Sequence, residues 1–570
     1  MDYIRAIGNR SANLQAIEVP KPANQNTLFA THGAHLESPE IELPSILYLG
    51  LILLASKFCE RLLIKLTQIS ESAYESPFLF LQIGNSSPWL HSIVLLGIGA
   101  LCLSLLHSTV RKRLFFSWSI AGNKLPIRWL IVMAAFPLAW RLVTHDHNYY
   151  WNHSYGIDRL LIAFLFTILI FRPIAVAPLL LVSLPLLFQF QYPLLGATWS
   201  TASLSVRIQI FFLTYLLIRI TANHRLKDER ILVLGILTII AFHYWPSGWL
   251  KLKSGWLIHN QIHVLLSATT AAGWLNSIGQ EQIDRFVRAA AKFDFLLRFG
   301  ALIIELSPLF ILWGRRKTPM LILPLLIALH LGVVLMTGIF FWEWIVIEAS
   351  LMTAFLWGRN KSVPWPTLRP AAKLASSLLI VSSIWWYRAP SLFWFDAAAS
   401  YSYEFQAIDN HGSIHQLPQN FFEPISYEIR VQNIAYMADN TPLLGITFGA
   451  TNRETSDSLQ RTKSVADLLE LERKMGSLET NEQMKTRFRT FVNRFATNYN
   501  QHPEHKHTWR GISAPYCILE DWGKDTGNLP INISRVDIYQ RFTFFDGTKT
   551  HVARRKRIAE IEIPSSPISE

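Results

Sequence analysis

Residues 231–249 have the sequence ILVLGILTIIAFHYWPSGW and contain no charged side chain. A helix needs about 20 mostly apolar residues to cross the hydrocarbon core of a bilayer, so this stretch predicts a membrane-spanning helix. Its far end carries polar and aromatic residues, from His243 to Gly248, and Lys251 follows shortly after. This stretch therefore predicts both a membrane fold and a place where polar groups meet apolar surroundings.

The composition of the whole chain agrees with membrane residence. Of its 570 residues, 51% are apolar and 16% are charged, whereas about 25% of the residues are charged in an average soluble domain. This composition excludes an intrinsically disordered chain, and ordinary amounts of glycine and proline exclude a collagen-like one. Three cysteines, Cys59, Cys102 and Cys517, are too few for a disulfide-rich scaffold or a four-cysteine zinc site.

Eleven stretches have the apolar character expected of spans. They are 44–56, 89–108, 125–143, 157–171, 174–190, 206–220, 231–249, 299–313, 319–337, 340–357 and 372–387. The segment 258–295 differs, because it mixes apolar residues with histidines and charged residues. We therefore expect it to be re-entrant or interfacial.

Basic residues indicate the orientation of these spans. They cluster at 111–113, 225–230, 315–317 and 359–361. Loops 191–205 and 338–344 contain neither Lys nor Arg. The positive-inside rule then places the N-terminus inside and the C-terminus outside, with Lys57, Arg61 and Lys65 as exceptions near an outer end. The net charge of +13 is explained mainly by these loops, so no nucleic-acid partner is expected.

The predicted fold is a polytopic α-helical membrane bundle followed by an α+β extramembrane domain. Residues 1–41 are polar and form a cytoplasmic segment, 42–388 form the transmembrane domain, and 389–570 form the extracytoplasmic domain. Alternating residues predict strands at 400–408 and 425–437, a helical pattern covers 457–500, and 531–545 with 549–563 predicts a hairpin. We expect a multi-pass protein of a bacterial inner membrane, with membrane lipid as a partner.

The first polar cluster is the segment 145–155, HDHNYYWNHSY, at the outer end of the third predicted span. Polar groups beside the hydrocarbon region are unfavourable unless they line a cavity, which favours a functional site. The alternative is an outer loop whose Tyr and Trp side chains lie at headgroup depth.

Isolated polar residues at and within other predicted spans form further candidates. Lys251 ends an apolar helix after a Pro-Ser-Gly break, and a lysine kept from water can act as a base. Lys251 could instead extend its ammonium to the membrane surface, an interpretation that suits Lys253 well. The carboxylates and the imidazole are functional candidates by default, although a neighbouring helix can satisfy each one. These residues are Glu305, His330, Glu343 and Glu348. In the predicted topology, the loops 144–156, 244–256 and 338–344 all open on the outer face, which indicates one cavity covered by the C-terminal domain.

Two motifs carry a resemblance to a known family. Trp151-Asn152-His153-Ser154-Tyr155 and Gly248-Trp249-Leu250-Lys251-Leu252 with Trp256 resemble the membrane domain of vitamin K-dependent gamma-glutamyl carboxylases and the broader horizontally transferred transmembrane (HTTM) family. Glu305-Leu306-Ser307 resembles an acidic-Leu-Ser step there, and His330 with Gly338 resembles a His-to-Gly helix. The resemblance covers residues 140–360 in matching order and does not extend to the carboxylase luminal region.

The resemblance implies a chemistry. In the carboxylases a lysine matched by Lys251 deprotonates reduced vitamin K, oxygen converts it to an epoxide, and the strong base so formed allows carboxylation of a substrate glutamate. By this resemblance the catalytic residues are Lys251, His153 and Asn152, and the substrate- or cofactor-binding residues are Trp151, Tyr155, Gly248, Trp256, Glu305 and His330. Reduced vitamin K or another quinol is the implied cofactor, a protein or peptide on the outer side is the implied substrate, and no metal is expected.

Two other functions remain open at this point. A membrane di-iron oxidase is suggested by His145, His147, His153 and the pair His259 and His263, because imidazole suits iron. However, the dense histidine boxes of such enzymes are missing here. A non-enzymatic lipid-binding or assembly protein would use the C-terminal domain, in which Arg554-Arg555-Lys556-Arg557 could contact anionic headgroups or simply meet water.

Overall fold

The computed structural model describes most of the chain from residue 41 onward. The described residues are 41–86, 92, 95, 96, 99, 125–145, 147–192, 203–221, 230–275, 277–313, 317–357, 368–389, 394–422, 434–438, 443–444, 451–475, 481–503 and 532–564. The predicted cytoplasmic segment 1–41 thus lies almost entirely outside them, as do the basic clusters 111–113 and 359–361.

The described residues are mostly helical. The helices are α1 (Leu43–Thr67), α2 (Leu79–Ser86), α3 (Leu125–Thr144), α4 (Gly156–Phe171), α5 (Val176–Phe188), α6 (Leu204–Thr221), α7 (Arg230–Ser254), α8 (Trp256–His259), α9 (Val264–Ala271), α10 (Gln280–Ala291), α11 (Asp294–Leu306), α12 (Lys317–Thr337), α13 (Trp342–Trp357), α14 (Pro370–Trp386), α15 (Arg453–Arg461), α16 (Val465–Met475) and α17 (Glu482–Gln501). Short 3₁₀ turns lie at Glu71–Glu75, Pro173–Ala175, Gln189–Gln191, Ser307–Phe310, Gln419–Phe422 and Ala435–Met437.

By length and composition, three helices could cross a membrane: Ile127–Thr144 within α3, α7 and α12. Two shorter stretches, Pro173–Phe188 and Leu204–Ile218, are also apolar. Each predicted span coincides with or overlaps a helix except 89–108, which lies mostly outside the described residues. Most of these helices fall short of spanning length or apolarity, so they do not support the expected count of eleven spans.

Helix α7 is the centre of the helical region. Every residue from Ile231 to Gly248 is buried, and α1, α6, α11 and α14 pack around it. The peripheral helices instead expose large apolar side chains, among them Leu51 and Phe58 of α1 and Leu321 and Leu335 of α12. A wide exposed apolar surface of this kind is typical of proteins that contact lipid.

The predicted helix break at Pro246 was wrong. Helix α7 continues through Pro246, Ser247 and Gly248 to Ser254, and Lys251 lies in its last turn. A proline removes one intrahelical hydrogen bond, but buried helices tolerate it when their neighbours hold the backbone in place. Tight packing between α7 and α11 therefore keeps the helix continuous at Pro246.

The segment 258–295 contains short helices, α8, α9 and α10, of at most 12 residues. None of them has the length of a spanning helix, which agrees with a re-entrant or interfacial segment. Helix α11 begins at Asp294, five residues before the start that apolarity alone predicted, since Asp294 also has partners that satisfy its charge. The helices of this segment position Trp256 and Asn260 beside the end of α7.

The C-terminal region contains a four-stranded antiparallel sheet of order β2-β1-β3-β4. Its strands are β1 (Ala399–Asp409), β2 (Ile414–Leu417), β3 (Ile533–Phe545) and β4 (Thr550–Glu562). The predicted hairpin is confirmed as β3 and β4. The predicted strand 425–437 lies outside the described residues up to 433, and Ala435–Met437 forms a 3₁₀ turn instead. The helical prediction for 457–500 resolves into α15, α16 and α17.

Candidate functional site

Three residues of α7 lie on one face of the helix: Tyr244, Gly248 and Lys251, at positions i, i+4 and i+7. A Cβ at Gly248 would lie 2.9 Å from Cδ2 of Leu306 and 3.2 Å from the backbone carbonyl carbon of Glu305. Only glycine therefore lets α7 and α11 approach this closely. The approach places Glu305 beside the last turn of α7.

At this approach, the Lys251 ammonium donates a hydrogen bond to Oε1 of Glu305. The two side chains are 12% and 10% exposed, so the ion pair is nearly withdrawn from water. The Lys251 Nζ also lies 5.2 Å from the centre of the Trp256 ring, within the range of a cation–π interaction. The other carboxylate oxygen of Glu305, Oε2, is buried and has no hydrogen-bond partner among the described residues.

Trp394 and Asp396, which follow α14, contact residues beside the Lys251–Glu305 pair. Trp256 Nε1 donates to the backbone oxygen of Trp394 at 3.1 Å. Asn260 Nδ2 donates to Oδ2 of Asp396 at 2.7 Å, and the Asp396 amide donates to Oδ1 of Asn260 at 2.6 Å. Burial raises the pKa of Asp396 to about 6, although its hydrogen bonds to Asn260 and Trp394 and the nearby Lys251 charge oppose the rise. Residues that follow the bundle thus form part of the site.

A second buried cluster lies on the same face of α7. The Tyr244 hydroxyl donates to Oε1 of Glu348 and also contacts Nε2 of His330. The three residues are 4%, 0% and 6% exposed in the order Tyr244, Glu348 and His330. The Trp344 ring packs against both Tyr244 and His330, with ring centres 5.2 and 5.3 Å away. His330 Nδ1 and Glu348 Oε2 have no hydrogen-bond partner among the described residues.

The Asn-His pair of the first motif has different neighbours. His153 Nε2 lies 2.6 Å from the backbone oxygen of Glu75, and Asn152 Oδ1 lies 3.2 Å from Nε2 of His147. Asn152 has a φ of +57°, a left-handed conformation that asparagine tolerates in turns. The Asn152 side chain therefore stabilises the turn that contains it, and the His153 side chain connects this turn to Glu75.

The aromatic residues of this motif pack in the same region. The Trp151 ring lies 5.3 Å from the Tyr74 ring, and the Tyr155 hydroxyl donates to the backbone oxygen of Tyr74 at 2.8 Å. Burial raises the pKa of Tyr155, so its hydroxyl stays protonated at neutral pH. The guanidinium of Arg494 in α17 lies 5.2 Å from the Trp151 ring. The C-terminal region therefore also covers this motif.

The structure brings the predicted site residues together in two groups. The first group contains Gly248, Lys251, Trp256 and Glu305. His330 contacts Tyr244, which lies on the same face of α7 as Gly248 and Lys251. Trp151, Asn152, His153 and Tyr155 form the second. Within the described part of the chain, no hydrogen bond, ion pair or ring contact joins the two groups. Their action at one site stays a prediction.

Three ion pairs with little exposure were missed as pairs by sequence reasoning. Arg207 of α6 lies 3.4 Å from Oε1 of Glu60 of α1, and Lys57 lies 2.7 Å from the same oxygen. Elsewhere, Arg141 lies 3.6 Å from Glu343, which was treated as a loop residue. The available signal was Arg207 in the apolar stretch 206–220, since an intramembrane charge requires a partner. The contact with Glu60 also explains Lys57, one of the three exceptions to the basic-residue pattern.

The histidines that suggested an iron site have separate partners. His145 contacts Leu142, His147 contacts Asn152, His153 contacts Glu75, His259 contacts Asp457, and His263 contacts Asp294. Among the described residues, no group of three or more His, Cys, Asp or Glu side chains is placed to hold a metal ion. The arrangement around Lys251 thus provides a buried acid–base pair rather than an obvious set of ligands.

No protein-family model, curated protein or solved structure matches this chain.

Proposed function

We propose that this chain is a membrane enzyme that removes a proton from a hydroxylated aromatic substrate, such as a reduced quinone, at the Lys251–Glu305 pair. The observation that carries the proposal is the buried contact between these side chains, with Glu305 Oε2 left without a partner among the described residues. An unpaired carboxylate oxygen in a site almost free of water is a strong hydrogen-bond acceptor. It can hold a substrate hydroxyl and take its proton.

The residues present fit a quinol in two respects. Glu305 Oε2 offers an acceptor for one hydroxyl, and the Trp249 ring, which is 39% exposed, offers a flat apolar surface. Trp249 lies in the same turn of α7 as Lys251 and stacks on Trp245, with the ring centres 5.9 Å apart. An apolar substrate dissolved in the bilayer could therefore reach the site through the exposed end of α7 at Trp249.

Lys251 and Glu305 have complementary roles in this proposal. The ammonium stabilises the Glu305 carboxylate in its charged form, and the carboxylate keeps the lysine at the end of α7. Because the pair lies in a dry site, a base formed there escapes quenching by water. When bound, a reduced quinone would supply the electrons for reduction of oxygen, as in the carboxylases that the sequence resembles.

The membrane arrangement is part of the same proposal. We propose a multi-pass protein of a bacterial inner membrane with eleven spans, an inner N-terminus and an outer C-terminal region. The apolar helices α3, α7 and α12 support it, and so does the exposed apolar surface of the peripheral helices. The contacts of Trp394 and Asp396 beside Lys251 favour placing the site near the face that carries the C-terminal region.

The experiment that tests the proposal uses purified full-length protein in lipid vesicles, with reduced naphthoquinone and oxygen. Mass spectrometry follows the quinol, the quinone and the epoxide, and vesicles without protein give the background rate. We expect oxygen-dependent loss of quinol and formation of epoxide above this background. Quinol loss at the rate of empty vesicles would contradict the proposal.

A further inference from the structure

We infer that α10 and the start of α11 bind the headgroup of an anionic phospholipid at the membrane surface. The inference goes beyond the proposed function, because it involves neither the Lys251–Glu305 pair nor its substrate. Basic and apolar side chains lie next to each other here, and all of them are exposed. This α10–α11 surface consists of Arg285, Arg288, Lys292, Phe286, Phe293 and Phe295.

One side of α10 is buried against the start of β4. The Asp284 carboxylate accepts hydrogen bonds from Oγ1 of Thr550 at 2.8 Å, from the Thr550 amide at 3.2 Å and from Nε2 of Gln280 at 3.0 Å. Asp284 is 5% exposed, so these donors satisfy its charge inside the protein. The contacts determine which side of α10 faces the protein and leave its other sides exposed.

A second side of α10 carries more positive than negative charge. Arg285, Arg288 and Lys292 occupy positions i, i+3 and i+7, which share one side of a helix. Glu281 lies 3.3 Å from Arg285, but their side chains are 85% and 60% exposed, and so exposed a pair is weak. Arg288 donates to the backbone oxygen of Thr548, a neutral partner that leaves its charge in place. Three positive charges against one negative charge favour an anionic ligand.

A third side of α10 is apolar, and α11 continues it. Phe286 and Phe293 are 54% and 59% exposed, and Phe295 is 62% exposed. The Phe295 ring stacks on the Phe299 ring, with the ring centres 6.1 Å apart. Exposed apolar patches bordered by polar residues mark surfaces that bind a protein or a membrane. Because α11 packs against the apolar helix α7, this patch lies next to the helical bundle.

A phospholipid has two parts that match the two exposed sides. Its acyl chains match the phenylalanines, and its phosphate matches the guanidinium of Arg285, which can donate two parallel hydrogen bonds to phosphate oxygens. Basic side chains beside exposed aromatic ones are typical of helices that lie in a membrane interface. A free phosphate would use the basic side alone, so the pairing of the two sides assigns the surface to a lipid headgroup.

Native mass spectrometry of the full-length protein in detergent tests the inference. The protein is titrated with phosphatidylglycerol or with phosphatidylcholine that has the same acyl chains. We expect the wild type to bind phosphatidylglycerol more tightly. Arg285→Gln/Lys292→Gln should weaken phosphatidylglycerol binding about 25-fold, or about 5-fold for each charge removed. Arg285→Lys/Lys292→Arg keeps both charges and should retain the preference. Circular dichroism verifies that each variant folds.

The matched control is Arg473→Gln/Lys474→Gln in α16. It also removes two exposed charges, one of which pairs with an acidic residue four positions before it, Glu470, at 2.7 Å. The apolar side chains of α16, however, are buried or half-buried. This control should bind phosphatidylglycerol like the wild type.

Three results would overturn the inference. They are equal affinity of the wild type for the two lipids, unchanged phosphatidylglycerol affinity in Arg285→Gln/Lys292→Gln, and an equal loss in the control. Displacement of the lipid by millimolar glycerol phosphate, which has no acyl chains, would overturn the assignment to lipid. Because quinol is absent from this experiment, protein that consumes quinol but shows no lipid preference would contradict this inference alone.

Discussion

Lys251 and Glu305 are 54 residues apart in the sequence, yet their charged groups are in direct contact where α7 meets α11. The contact depends on Gly248, which lies one turn before Lys251 and opposes Glu305 and Leu306. One glycine thus determines whether the two candidate acid–base groups meet. The relationship leads to predictions about stability, pH dependence and activity.

Breaking the buried pair should destabilise the protein. Lys251→Met leaves the Glu305 carboxylate buried without its cation, and loss of one partner of a buried pair costs about 3–5 kcal/mol. The double variant Lys251→Met/Glu305→Leu removes both charges and should recover most of this loss. Thermal unfolding in detergent measures the effect. A double variant as unstable as the sum of the two single variants would show that the pair is not coupled.

Gly248→Ala should separate α7 from α11. The added methyl group would lie 2.9 Å from Leu306 Cδ2 and 3.2 Å from the backbone of Glu305, and overpacking of this kind costs about 1–3 kcal/mol. Gly300→Ala in α11 is the matched control, because nothing lies within 4 Å of its added methyl group. The unfolding temperature should fall in Gly248→Ala only, and an equal fall in both variants would argue against the close approach.

The stability of the folded protein should fall as pH rises, because Asp396 then becomes a buried charge. Burial raises the pKa of Asp396 from 3.8 to about 6, so the folded protein binds this proton more tightly than the unfolded chain. The resulting stability is fully present below pH 3.8 and is lost as pH rises through 6.

Thermal unfolding between about pH 4 and pH 7 measures this dependence. Asp396→Asn should flatten the fall in stability across that range. Asp467→Asn should leave it unchanged, because the hydrogen bond from Ser464 lowers the pKa of Asp467 and moves its titration below 3.8. A wild-type curve that matches Asp396→Asn would refute the assignment.

In the C-terminal region, Arg554→Ala should destabilise more than Lys556→Ala. Both Nη atoms of Arg554 donate to the Glu472 carboxylate at 2.8 Å, and the Tyr401 hydroxyl donates to it at the same distance. Glu472 is 6% exposed, so loss of Arg554 leaves a buried carboxylate underpaired, at about 1–3 kcal/mol. Lys556 is exposed on the same strand. Equal denaturation midpoints would show that the Arg554 contact adds nothing.

Local sequence patterns predicted a helix or strand well where its structure depends mainly on its own residues. Apolar stretches marked the positions of the helices, and alternation around Asp546-Gly547 predicted the hairpin of β3 and β4. The helix break at Pro246 could not be judged locally, because packing against α11 maintains the helix there. Tertiary support overrides a local signal at such a position.

The candidate site was predictable residue by residue but not as an arrangement. Lys251 and Glu305 stood out because isolated charges in apolar stretches are rare. Their pairing, and the contact of Tyr244 with Glu348, depend on how separate helices align, which one sequence does not reveal. Asp396 was not anticipated, since nothing in its local sequence indicates that it would meet Asn260 beside the end of α7.

The most direct test of the account compares turnover of reduced naphthoquinone by wild type, Lys251→Ala and Lys253→Ala in lipid vesicles with oxygen. Lys253 lies two residues away in the same helix and is exposed, so it controls for the loss of a charge near the end of α7. We expect Lys251→Ala to lose at least about 100-fold in rate, the lower range for loss of general-base catalysis, because Glu305 loses the cation that keeps it charged. Lys253→Ala should retain the wild-type rate. Equal turnover by Lys251→Ala and the wild type would contradict the central claim.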